Sequence, residues 1–245
     1  MSSVSVVIPA YNEERRLPAS LERVVEYLHA SPYLPAEVLI VSDGSKDRTA
    51  EVAREIGGRI SSDDVAVRVI ENAENHGKGY VVRQGMLDAK YEWVLFSDAD
   101  LSAPIEELDL LVDAVEKQEA DGAIGSRALD RSLIGVRQPF FREFLGRAFN
   151  VFVRIGAGLP YKDTQCGFKL LSRDAVHKIF PKQLMDRFGF DVEILFIARR
   201  QSLNVVEVPV RWNDVEGSKV GMFSGADAFL DILRIRWNQI RGCYR

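Results

Sequence analysis

The strongest constraint on this chain is an alternation. Short β-branched and aliphatic runs (Val4–Ile8, Glu37–Val41, Val65–Ile70, Trp93–Phe96 and Gly122–Gly125) are separated by stretches whose apolar residues recur at helical spacing. Leu17, Leu21, Val24, Val25 and Leu28 form the first such stripe, and residues 47–56, 78–89 and 104–118 repeat the pattern. Strands and amphipathic helices in turn predict a doubly wound, mostly parallel α/β sheet flanked by helices, of the Rossmann-like class. Pro104, ahead of two glutamates, suits the opening of a helix.

Beyond residue 126 the pattern changes. Residues 137–156 carry arginines among aromatic and aliphatic positions and predict a helix. The polar stretch Lys162–Lys169 reads as a loop leading to a helix near 172–180, followed by a helix at 188–201 and a strand at Val205–Val210. There is no repeat or low-complexity linker. The expected organisation is therefore one α/β domain over residues 1–225, with a helical C-terminal elaboration ending in an amphipathic basic helix at 226–245.

Composition removes several function classes. A net charge of -4 offers no basic excess for a nucleic-acid backbone. Cys166 and Cys243, with His29, His76 and His177, are scattered and lack zinc-ligand spacing. The N-terminus runs straight into a strand pattern, unlike a secretory signal, and the least polar later stretch, Ala148–Tyr161, is short and contains Arg154. A cytoplasmic protein with peripheral membrane contact at most is expected.

In doubly wound sheets, ligands bind beyond the carboxyl ends of the strands. Three polar loops fall there: Pro9-Ala10-Tyr11-Asn12-Glu13-Glu14, Ser42-Asp43-Gly44-Ser45-Lys46-Asp47 and Ser97-Asp98-Ala99-Asp100. Asp98 and Asp100, two residues apart, point to the same side if strand geometry continues. Two such carboxylates suit a hard cation, Mg2+ or Mn2+, bridging to a diphosphate, and they equally suit acidic turn residues capping the helix near Pro104. Asp43 can accept hydrogen bonds from a base or ribose, or serve an Asp-Gly turn. Asn75-His76-Gly77-Lys78-Gly79 offers glycines for close approach and a lysine for phosphate, but it is not a P-loop. Arg83, one turn on, faces either the same ligand or solvent.

Taken in order, the segment Val4–Glu14, the Ser-Asp-Gly-Ser turn, Asn-His-Gly-Lys-Gly and Asp-Ala-Asp resemble the family 2 glycosyltransferases of GT-A fold. Ile124-Gly125-Ser126-Arg127, Asp163–Lys169, Phe190-Asp191-Val192-Glu193 and Glu216-Gly217-Ser218-Lys219 resemble more narrowly the dolichyl-phosphate β-glucosyltransferases and their prokaryotic polyprenyl-phosphate relatives. The resemblance spans Val4 to Lys219. It implies that Pro9, Tyr11 and Glu13 line a nucleotide pocket, Asp43 reads the base, Lys78 positions the nucleotide, and Asp98 and Asp100 serve ribose, metal and diphosphate. Ser102 stands where the related mannosyltransferases carry a metal-assisting glutamine.

The same resemblance gives Arg127 and Arg142 to an acceptor phosphate, which guanidinium forks bind in bidentate fashion. Gly146 replaces an expected serine, and Arg137 is a substitute donor; a solvated helix face is the other reading of Arg142, Arg147 and Arg154. Gln165 is expected to hydrogen-bond a sugar hydroxyl beside Gly167. Cys166 is expected to be a buried small residue rather than a nucleophile. Asp191 is expected to position the acceptor or sugar, with base catalysis secondary because a phosphate oxygen is already ionised near neutrality; Glu193 can be structural. The implied reaction is inverting transfer of a hexose, from UDP-glucose, to a polyprenyl or dolichyl phosphate at the inner membrane face. GDP-mannose as donor and a soluble acceptor are the alternatives. Leu230, Leu233, Trp237 and Ile240, with Arg234, Arg236, Arg241 and Arg245, make the last helix either interfacial or packed on the domain.

Overall fold

Strand β1 (Val4–Ala10) is buried along its whole length in a computed structural model that describes residues 3–136, 153–213 and 224–245, with side chains in the last segment from Leu230. Its side chains alternate between two cores. Val4, Val6 and Ile8 join one apolar cluster, and Val7 joins the other. The same division holds in β2 (Ala36–Asp43), with Val38 and Ile40 on one face and Leu39 and Val41 on the other. Burial on both faces explains why these strands read as continuous apolar runs.

The seven-stranded sheet has the order β3-β2-β1-β4-β7-β5-β8, with β3 at Val65–Asn72, β4 at Trp93–Ser97, β5 at Gly122–Ser126, β7 at Phe168–Ser172 and β8 at Val205–Pro209. Strands β1 to β4 pair in parallel, and β5 pairs with β8 in parallel. Helices α1 (Leu17–Ala30), α2 (Thr49–Ile60) and α4 (Leu108–Lys117) cover one face. The other face is covered by α3 (Lys78–Asp88), α5 (Arg173–Ile179), α6 (Phe190–Arg200) and α7 (Ser224–Ile240). The last of these contributes Ile232 and Ile235 to the second core.

The main correction to the sequence reading is β7. The stretch ending at Lys169 was expected to be loop, yet Phe168–Ser172 lies inside the sheet, antiparallel to both β4 and β5. A lysine and a serine in a five-residue run hid it, and Lys169 is buried because a carboxylate meets it there. A second small sheet, β6 (Ile134–Val136) with β9 (Trp212–Asn213), carried no legible signal either. Arg137, Arg142, Gly146, Arg147 and Glu216–Lys219 lie outside the described residues, as does most of the helix expected at 137–156.

Candidate active site

β4 ends at Ser97, and the chain turns immediately into the two aspartates. The Asp98 N–H donates to the Gly167 carbonyl at the end of the loop before β7 (3.1 Å), and the Asp98 carbonyl accepts from Leu101 N–H (3.1 Å). Closing this turn puts Leu101 in the left-handed region at φ 47°, a strained conformation for a leucine directly after Asp100. Asp100 accepts the Ser102 N–H (3.0 Å), and the short helix Ile105–Glu107 begins after Pro104 with no side-chain cap. Neither aspartate is therefore a helix cap. Burial, then the neighbouring Asp98 charge, raises the Asp100 carboxyl above the ordinary carboxylate value.

Two ammonium groups compensate these carboxylates, Lys78 half-buried and Lys169 buried. Lys78 Nζ lies 2.6 Å from Asp98 Oδ1, and Lys169 Nζ lies 2.5 Å from Asp191 Oδ1 while also donating to the Cys166 carbonyl (2.6 Å). Both ammoniums sit over the Phe96 ring, at 5.4 and 5.6 Å from its centroid. Desolvation alone would lower the Lys78 pKa, but Asp98, then Asp191 and Asp100, hold it above its usual value. Burial pushes the Asp191 carboxyl up, against the pull of Lys169 and Lys78. Asp98, Asp100, Asp191, Lys78 and Lys169 thus form one cluster with one net negative charge. Sequence reasoning found four of these five residues and missed Lys169.

Gly167 makes the cluster possible. A Cβ at this position would overlap the Asp98 carboxylate. Gly167→Ala is expected to leave the fold intact and to lower kcat/KM about a hundredfold, because a displacement near 1 Å at a reacting centre has that effect. Near-wild-type kinetics from this variant would show that Asp98 need not stay where it is.

The loops after β1 and β2 are stitched together. Asn12, at φ 53°, donates its N–H to Ser45 Oγ (3.1 Å) and accepts Lys46 N–H (2.7 Å), and Glu13 N–H donates to Thr49 Oγ1 (2.8 Å). Pro9 is buried in β1 opposite Val41, and Tyr11 and Glu13 follow it, half-buried, at the strand end. The Glu13 carboxylate is held in bidentate fashion by Arg16, with both contacts at 2.7 Å. Arg16 was not anticipated. Its pKa is raised by the Glu13 hydrogen bond and, more weakly, by the Asp100 charge.

The Asp43 carboxylate is buried and engaged within the protein. It accepts from His76 N–H (2.8 Å), Gly77 N–H (2.9 Å) and Asn75 Nδ2 (2.9 Å), pinning the loop that leads to Lys78. Hydrogen bonds to charged groups contribute about 1.5–3 kcal/mol each and are not additive. Asp43→Ala is therefore expected to lower Tm by roughly 4–8 °C, for a net loss near 2 kcal/mol. An unchanged Tm would contradict the pinning role.

On the other side of the crevice, Arg127 is bound to buried Asp163 through Nε (2.6 Å) and one terminal nitrogen (2.8 Å), and it stacks on Trp212 with 4.7 Å from guanidinium to ring centroid. Two of its three nitrogens are thus committed within the protein, more than the sequence reading anticipated. Asp163 also accepts Gln165 N–H (3.2 Å), leaving the Gln165 side chain half-buried at the mouth of this loop. The Cys166 thiol is fully buried and pushed up to about 12, by burial first and Asp163 second, which makes a poor nucleophile. Glu193 is structural: it accepts the Leu184 and Met185 N–H groups and the Tyr244 hydroxyl. Arg83 braces the Gln183 carbonyl and Asp186.

A GT-A crevice with paired aspartates at the end of the fourth strand defines a class, and comparison with known proteins agrees. Residues 5–180 match Glycosyl transferase family 2, and the chain belongs to that family. Its fold is shared with glucosyl-3-phosphoglycerate synthase from Mycobacterium tuberculosis, solved with Mn2+, uridine-diphosphate-glucose and phosphoglyceric acid (TM-score 0.66, 18% identity, 96% of this chain and 79% of that one). Mannosyl-3-phosphoglycerate synthase from Rubrobacter xylanophilus gives a TM-score of 0.65 at 15% identity over 98% of this chain and 74% of that one. Within the family, the chain is similar to dolichyl-phosphate beta-glucosyltransferases. It is 39% identical to one from Trichomonas vaginalis (95% of this chain, 72% of the relative) and 40% identical to that of Drosophila melanogaster (93% and 73%). Identity to the human protein is 36%, over 99% of this chain and 77% of the relative.

Proposed function

We propose that this glycosyltransferase moves glucose from UDP-glucose to the phosphate of a polyprenyl or dolichyl phosphate, with inversion at the anomeric carbon. The observation that carries the reading is the Asp98–Asp100–Asp191 cluster with its two lysines, in a chain whose relatives at 34–40% identity are dolichyl-phosphate beta-glucosyltransferases.

The donor set suits a divalent cation, Mg2+ or Mn2+. Asp98 and Asp100 supply carboxylate oxygens, the ligand type a hard cation takes, and water and substrate phosphates would complete its shell. Such a cation, when bound, neutralises charge on the diphosphate leaving group. Asp98 and Asp100 would hold it, and Ser102, which caps Asp100 through its N–H, orients a ligand rather than supplying one. Lys78, already at the aspartate pair, is placed to meet a diphosphate oxygen. Pro9, Tyr11 and Glu13 border the nucleoside, and Asp43 serves it by ordering the loop before Lys78.

In the reaction an acceptor phosphate oxygen attacks the anomeric carbon as the bond to the UDP oxygen breaks, giving a glycosyl phosphate ester and UDP. The attacking oxygen is ionised near neutrality and needs no proton removed. Asp191, held by Lys169, is therefore assigned to positioning. The uncommitted edge of Arg127, with Arg142, is assigned to the acceptor phosphate, and Gln165 to a sugar hydroxyl. Among the described residues no helix is long and apolar enough to cross a membrane. A lipid acceptor places the reaction at a membrane surface, here assigned to the inner face of the cell membrane, with the protein bound peripherally.

A donor comparison tests this reading. UDP-glucose, UDP-GlcNAc and GDP-mannose are each supplied with a short polyprenyl phosphate and Mn2+. UDP-glucose should give the highest kcat/KM and a β-linked product; preference for GDP-mannose, or turnover only with water-soluble alcohols, would overturn it.

A further inference from the structure

The glycines that flank Lys78 are packed against protein backbone. A Cβ on Gly77 would overlap the Asp186 carbonyl oxygen, and one on Gly79 would overlap the Met185 carbonyl oxygen and the Phe190 side chain. Gly77 also stands at φ 105°, a conformation other residues rarely adopt. What approaches these two glycines closely is therefore the segment 183–187, between α5 and α6. The Tyr80 N–H, in the same helical turn, donates to the Asp186 carbonyl (3.1 Å). Lys78 opens α3 between the two glycines, so the path of its side chain to Asp98 depends on how this segment sits on the first turn.

Gln183 fastens that contact. It is 2% exposed, and its amide nitrogen donates both to the Gly79 carbonyl (2.9 Å) and to the Met185 carbonyl (2.8 Å). Its own backbone carbonyl accepts from Arg83 (2.8 Å), a turn farther along α3, and Arg83 also pairs with Asp186 at 3.0 Å. The same segment is fixed to α6, where Glu193, two residues beyond Asp191, accepts the Leu184 and Met185 N–H groups. One short span thus holds the start of α3, with Lys78, against the helix that carries Asp191.

We propose that Gln183 is a positioning residue for glucosyl transfer, holding Lys78 where it meets the donor diphosphate. The inference rests on the diphosphate role given to Lys78 above and adds what keeps that lysine in place. Both side-chain bonds of Gln183 go to backbone carbonyls, so it acts on the cluster through the path of the chain. An apolar side chain of the same length would fill the space but leave two carbonyls without their donor, and the span would shift against the first turn of α3. A shift of that kind at Lys78 is felt at the reacting centre.

The test is a double-mutant cycle on kcat/KM for UDP-glucose, with Gln183→Met, Lys78→Met and the two combined. Methionine keeps the unbranched length of glutamine and removes the donor. Gln183→Met should lower kcat/KM by about ten- to a hundredfold while KM for the acceptor phosphate stays within about twofold of wild type. Added to Lys78→Met, it should cost no more than about a further twofold, because the group it positions is already gone. A residue needed only for folding would instead lower the active fraction by the same factor in either background. Losses that multiply would therefore overturn the proposal, as would wild-type kinetics in Gln183→Met. Arg83→Met, which loosens the same span from a half-buried position, keeps the cycle readable should Gln183→Met fold poorly: it should give a smaller loss that again vanishes beside Lys78→Met, and a loss that persists there would overturn the proposal. Full turnover by Lys78→Met alone would be a separate result, sinking the diphosphate role of Lys78 and the proposal with it.

Discussion

Asp98→Asn is expected to lower kcat/KM for glucosyl transfer by about 10³-fold, as loss of roughly 4 kcal/mol of charge stabilisation at the leaving group. Asparagine keeps the shape of the side chain and the backbone bonds to Gly167 and Leu101, so the turn should survive. What it removes is the charge that Lys78 meets at 2.6 Å and that a divalent cation requires. Two readouts separate this from misfolding. Tm without ligand should stay within a few degrees of wild type, whereas the further rise in Tm produced by UDP with Mn2+ should disappear. Transfer within threefold of wild type would mean that Asp98 does not serve the diphosphate.

The second large effect is on stability as well as activity. Lys169→Met removes the ammonium from Asp191 and leaves a carboxylate that is itself 5% exposed without its ion-pair partner. Breaking a buried pair from one side typically destabilises by about 3–5 kcal/mol, here a Tm fall of roughly 10 °C. The pH dependence identifies the cause. Burial already raises the Asp191 carboxyl, and removing Lys169 leaves that effect less opposed. A carboxyl whose folded pKa lies above its unfolded value favours the folded state when protonated, and it costs stability as pH rises through and above the unfolded value of about 4. The deficit of Lys169→Met against wild type should therefore shrink toward pH 5 and widen toward pH 8. A pH-independent deficit would point to lost packing rather than an orphaned charge. Activity should fall about a hundredfold, through misplacement of Asp191.

Strand alternation was legible because β1, β2 and β4 are buried on both faces, so their apolar runs are unbroken. The donor loops were legible for a related reason: a sheet of this class places its crevice at the strand ends, where only polar loops interrupt the pattern. What could not be read depends on pairing across distance. Lys169 looks like a loop residue until Asp191, 22 positions later, is brought beside it. Asp43 reads as a base-contacting or turn residue in sequence, and its three donors from residues 75–77, some 32 to 34 positions away, are not legible there. Arg127 was found by motif, but its commitment to Asp163, 36 positions away, was not. Local period is written in consecutive residues; the partners of a charge are not.

The most direct test of the central claim uses one lipid with and without its phosphate. Purified protein, UDP-glucose and Mn2+ are supplied with either a polyprenyl phosphate or the polyprenol of the same chain length, and UDP release and glycolipid are both quantified. The phosphate should yield a β-linked glucosyl phosphate in step with UDP, and the alcohol no glycolipid, because only the phosphate brings an ionised oxygen to a site where Asp191 is held by Lys169. Glucosylation of the alcohol at a comparable rate would contradict this and would make Asp191 a general base.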